Sequence, residues 1–196
     1  MRTSRLEAFS DGVLAIIITI MVLELKVPAE PTLQALGGSA TGFLTYVLSF
    51  VYIGIYWSNH HHMFQVVERV NGTVLWGNLH LLFWLSLFPV TTAWVDQTTL
   101  SRTPVVVYGI NLLLAAVAYH VLQMAIFRVE GGSGLRKALG RDLKGKISPA
   151  LYLSGIAMAF VNPWLGMLVF TSVAIMWLAP DRRVERYLAA QESAAG

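Results

Sequence analysis

Few side chains in this 196-residue sequence can do chemistry, and their positions narrow which kinds are open to it. Arg5, Ser10 and Asp11 stand at the entrance to an apolar run, residues 13–25, whose polar interruptions are Thr19 and Glu24. The second set is histidine: His60-His61-His62, then His80 and His120. Three adjacent histidines on a helix point about 100° apart, so they cannot all ligate one ion. No H-E-x-x-H or other spaced ligand set accompanies them, and no metal site is expected. Cysteine is absent, which excludes disulfides, thiolate metal sites and cysteine nucleophiles. No nucleophile, base and acid occur at usable spacing, so an enzyme is not expected. What remains is the chemistry of ionisable groups at membrane depth, where they are costly and tend to mark function.

The elements that must hold these groups are membrane helices. The chain is 56% hydrophobic and 13% charged, against about 25% charged in an ordinary soluble domain, and its mean hydropathy is +0.60. The apolar runs predict one all-α membrane domain over residues 1–196, with six spans at about 6–25, 41–61, 73–95, 104–127, 147–161 and 163–179. Residues 26–40, with Pro28, Pro31, Gly37 and Gly38, read as a turn-rich connection. Pro89 should kink or break the third span. The last two spans, turning at Asn162-Pro163, are near the lower limit for crossing about 30 Å of hydrocarbon, and a re-entrant pair is an alternative there.

In this layout twelve of the fourteen basic residues fall on the N-terminal side: Arg2, Arg5, Arg69, six between Arg128 and Lys146, and Arg182, Arg183 and Arg186. Lys26 and Arg102 lie opposite. The split places both termini in the cytoplasm. It also accounts for a pI near 9.3 without any nucleic-acid partner. Arg2 and Arg5 ahead of an apolar run, with Val27-Pro28-Ala29 after it, match the outline of a secretory leader. Glu7, Asp11 and the further apolar segments argue against cleavage.

As a helix, the first span puts Ile16, Thr19, Ile20 and Leu23 within about 60° of one line. Phe9 and Arg5 fall on the same stripe, while Asp11 points well away. Ile16 and Leu23 are a heptad apart, the spacing of a helix facing a neighbour or a symmetry axis; ordinary helix packing produces the same pattern.

The run Arg5-x-x-x-Phe9-Ser10-Asp11, followed by Gly12-Val13-Leu14-Ala15-Ile16-Ile17-Ile18-Thr19, resembles the signature of the transmembrane protein 175 family of potassium channels. The likeness is closest to its prokaryotic members, which carry one six-span unit. It is strong over residues 5–25, fair through residues 57–61 and Phe88-Pro89, and topological beyond Pro104. The resemblance implies a homotetramer in the bacterial inner membrane whose first helices line a pore for potassium ions, with no cofactor. It places the narrowest ring at Ile16, with Thr19 or Ile20 and then Leu23 as the next layers. It also implies that Trp57-Ser58-Asn59-His60-His61 supplies a tryptophan–histidine cluster that joins Arg5, Phe9, Ser10 and Asp11 in a structural network holding the pore helix in register. Which histidine takes part stays open. Four branched side chains can gate by dewetting. Thr19 would offer hydroxyl oxygens for partial rehydration, unless its own backbone satisfies it. Glu24 would gather cations at the outer mouth. The competing reading is a proton-coupled secondary transporter, with intramembrane histidines as relay and broken helices at Pro89 and Pro163.

Overall fold

The computed structural model describes residues 3–65, 67, 70–129 and 143–178. Arg2, Arg69, Arg136, Lys137, Arg141 and the three arginines of the tail, which carry much of the charge count, lie outside the described residues. The described part is helical: α1 (Thr3–Leu23), α2 (Leu33–Gly38), α3 (Ala40–Gln65), α4 (Gly72–Ser86), α5 (Phe88–Gln97), α6 (Arg102–Val129), α7 (Leu143–Val161) and α8 (Pro163–Leu178).

Local sequence explains most of the boundaries. The Asn71 side chain accepts from the backbone N–H of Val74 at 3.0 Å and starts α4. Thr32 does the same for Ala35 at 3.1 Å and starts α2; such caps satisfy donors the helix itself leaves open. The turn-rich connection therefore contains a helix that its prolines and glycines did not announce. The third apolar run divides at Leu87, and Pro89, which has no N–H to return to the preceding turn, sits at the start of α5. Asn162 alone separates α7 from α8, and its carboxamide accepts from the N–H of Trp164. The second apolar run does not stop at the histidines: α3 continues through His60, His61 and His62 to Gln65.

By length and composition, four segments can cross a membrane: α1, α3, the broken pair α4–α5, and α6. The apolar α8 is shorter. At about 1.5 Å per residue α7 and α8 reach roughly 28 Å and 24 Å.

The helices close around an aromatic centre. Tyr52 of α3 lies near Phe88 of α5 and Tyr152 of α7, and Tyr108 of α6 near Phe88 and Phe170 of α8, with ring centroids 6.1–6.3 Å apart. The Tyr52 hydroxyl donates to the Phe170 carbonyl at 2.6 Å. Ser49 bonds both Thr92 (2.7 Å) and Tyr108 (3.0 Å), so the buried hydroxyls satisfy one another. Phe170 fits because Gly109 and Gly155 leave it room; a Cβ on either would collide with its ring. Against this block α1 packs on α3, α4 and α5.

Candidate functional site

The first helix has two unlike faces. Thr3, Leu6, Ser10, Leu14, Ile17 and Met21 recur every three or four residues and are buried against the protomer. Phe9, Ile16, Ile20 and Leu23 are exposed; Ile16 keeps 59% of its surface and Leu23 81%. At 100° per residue the two lines lie about 120° apart, so α1 is apolar both where it is covered and where it is bare. Arg5, Thr19 and Glu24 are also exposed, the first two along the bare face. The Thr19 hydroxyl donates to the Ile16 carbonyl at 2.9 Å. Its proton is thereby committed to the helix, and the oxygen lone pairs remain.

Two separate sets of bonds fix this helix. The inner set runs one way through three helices. His60 Nε2 lies 2.8 Å from Asn78 Oδ1; an amide oxygen can only accept, so the histidine donates. The Asn78 amide donates to Ser10 Oγ at 2.9 Å, and Ser10 donates to the Leu6 carbonyl at 2.9 Å. His60, Asn78 and Ser10 are all buried. Each step has one donor and one acceptor, so the chain α3→α4→α1 is satisfied throughout and ends in the α1 backbone. At the same end the Thr3 hydroxyl donates to the Val67 carbonyl at 2.7 Å.

The outer set is exposed. Trp57 Nε1 donates to Asp11 Oδ1 at 3.0 Å, and its ring stacks on His61 with centroids 6.3 Å apart. Gln65 donates to His61 Nε2 at 3.0 Å, which puts the proton of the neutral imidazole on Nδ1. That atom lies 3.6 Å from Glu7 Oε1.

The structure thus brings Asp11 to Trp57 and Ser10 toward His60, but through Asn78 and as two groups rather than one. The reason is angular: Ser10 and Asp11 are about 100° apart on the helix, so one enters the protomer and the other stays on its flank. Among the described residues Arg5 forms no hydrogen bond or ion pair, and the exposed Phe9 ring does not join either set. Asn78, Glu7 and Gln65 had no assigned role in the sequence. A carboxamide alone in an apolar run was the available signal for Asn78, since such groups hydrogen-bond between membrane helices.

The chain is similar to several named proteins. A family model described as TMEM175, endosomal/lysosomal potassium channel TMEM175, matches residues 5–89. A Chryseobacterium protein named potassium channel is 51% identical over 189 residues, 96% of this chain and 98% of that protein. The crystal structure of a lysosomal potassium-selective channel TMEM175 homolog from Chamaesiphon minutus superimposes with a TM-score of 0.74 at 31% identity, covering 90% of this chain and 96% of that one. A mouse protein named endosomal/lysosomal proton channel TMEM175 is 32% identical over 112 residues, 51% of this chain and 22% of its own length.

Proposed function

This chain belongs to the TMEM175 family, a multi-pass membrane family, and from that premise we propose that it is a potassium-selective channel built as a homotetramer around four copies of α1. Each subunit contributes six crossings, with α7 and α8 as the fifth and sixth, and both termini lie on the cytoplasmic side of a bacterial inner membrane. The observation that carries the reading is the bare apolar stripe of α1. The protomer's own packing leaves Phe9, Ile16, Ile20 and Leu23 uncovered, and they share a face with Arg5 and Thr19 rather than with the core.

In the tetramer this face lines the axis. Ile16 forms the narrowest ring, which excludes water when tight and passes a partly dehydrated cation when wider. Potassium releases its hydration shell more cheaply than sodium, so an apolar ring prefers it without a coordinating cage. Thr19, one turn further, presents hydroxyl oxygens whose protons are held by Ile16 carbonyls. Ile20 and Leu23 form the next apolar layers, and Glu24 concentrates cations at the outer mouth. The inner bond chain through Ser10, Asn78 and His60 keeps the stripe at its angle. Asp11 with Trp57 holds the flank, and Arg5 brings its donors to a neighbouring copy.

A second reading, proton passage, draws on the printed name of the mouse relative and on the buried His60. Bilayer recordings of purified protein under opposed potassium, sodium and proton gradients separate the readings. Currents reversing near the potassium equilibrium potential are expected. Reversal that follows the proton gradient supports the second reading, and saturable, proton-coupled flux without passive current points to a transporter.

A further inference from the structure

Away from the α1 stripe, α4 and α6 enclose an open groove of about 500 Å³. It begins where α4 starts and α6 ends, the end of the bundle at which Thr3 of α1 bonds Val67 and which Lys144 and Lys146 of α7 adjoin. Thr73 and Arg128 stand at its mouth, beside Trp76, which is 75% exposed. The helices touch closely on the floor: a Cβ on Gly77 would sit 3.3 Å from the Leu122 backbone. Val121 and Met124 make the wall apolar, and His80 and His120 close the inner end, about 10 Å deeper. The groove therefore runs from a cationic mouth into an apolar interior.

A cationic mouth opening onto an apolar wall is the order of an anionic phospholipid read from its phosphate into its acyl chains. Among the described residues Arg128 has no acidic partner and the Thr73 hydroxyl makes no hydrogen bond, so both can meet a phosphate. A tryptophan at the mouth is at home at headgroup level, and basic pockets between membrane helices hold anionic headgroups. We propose that this groove binds one anionic phospholipid per protomer, with its phosphate on Arg128 and Thr73 and a chain running inward along Met124 and Val121. The occupancy is independent of what the channel conducts.

The test uses full-length protein reconstituted in mixed phosphatidylglycerol–phosphatidylcholine nanodiscs, re-extracted, and counted for bound lipid by native mass spectrometry. The wild type should keep phosphatidylglycerol over phosphatidylcholine. Arg128→Gln should cut that retention about fivefold, Arg128→Lys should preserve most of it, and Arg102→Gln at the opposite end should change nothing. Arg128 is exposed, and an unchanged elution profile shows that its variants fold. Equal retention by wild type and Arg128→Gln, or equal retention of the two lipids, overturns the proposal. So does a disulfide between copies bearing Val121→Cys, since a neighbouring subunit would then cover the groove.

Discussion

The first helix and α6 are both long apolar segments, yet they spend their apolar surface differently. In α6 half of the most apolar window is buried inside the protomer, while in α1 the share is 28%. α6 touches α4, α5, α7 and α8, and its Gly109 admits the Phe170 ring of α8. One face of α1 is held by bonds and packing, and the other has no role in folding the single chain. In lipid such a face carries no hydrophobic penalty; its side chains are free to be selected for what they meet outside the protomer. Substitutions in the two helices should therefore fail in different assays.

The largest effect is expected at Gly109. A Cβ there meets the Phe170 ring and Ile156, so Gly109→Val overpacks the centre at a cost of about 1–3 kcal/mol or more, out of a total that is itself marginal. Thermal unfolding in detergent should show a lower midpoint and a smaller folded fraction. Ile16→Asn is the opposite case. It should leave the unfolding midpoint nearly unchanged, within about 0.5 kcal/mol, while wetting the proposed constriction and bringing the potassium and sodium reversal potentials together. If Ile16→Asn lowers stability and leaves selectivity intact, the distinction between the two helices collapses.

Much of this contrast was legible in the sequence because a helix has a fixed period. Placing Ile16, Thr19, Ile20 and Leu23 on one line required only the angle per residue, and in the protomer all four are exposed. Hydropathy placed the start of α3 within a residue and its end about one turn short. Apolar content falls off after Trp57, but serine, asparagine and histidine can continue a helix whose other side is packed, and Met63 and Phe64 are buried. The short α2 was hidden by Gly37 and Gly38, which argue for a turn until the Thr32 cap is considered. The split of the expected network was out of reach for another reason. Asn78 joins Ser10 across 68 residues and His60 across 18, and pairings at that separation depend on how the helices meet.

That bond chain joins the two faces of the comparison. Asn78→Leu is close in volume but leaves the buried His60 donor without an acceptor and removes the hydrogen bond that Ser10 receives. The cost is about 1–3 kcal/mol, to be read as a fall in unfolding midpoint. Because Ser10 lies on α1, the same substitution should alter open probability as the stripe loses its fixed angle. A stability loss with normal gating would make the chain mere packing.

Asp11→Ala is the smallest and finest test. Asp11 belongs to neither face: it is exposed, and its partner Trp57 keeps 49% of its surface. One hydrogen bond in such a setting contributes about 0.5–1 kcal/mol, so the protomer should unfold at nearly its normal temperature. Reversal potentials should also hold, because Asp11 points about 140° away from Ile16 around the helix. For the proposed tetramer, what should fall is the assembled fraction or the open probability, measured by crosslinking and by recording, since the lost bond ties α1 to α3 on the flank of the stripe. A shift in selectivity instead would mean that the flank lines the ion path, and that the bare stripe of α1 has been given the wrong partner.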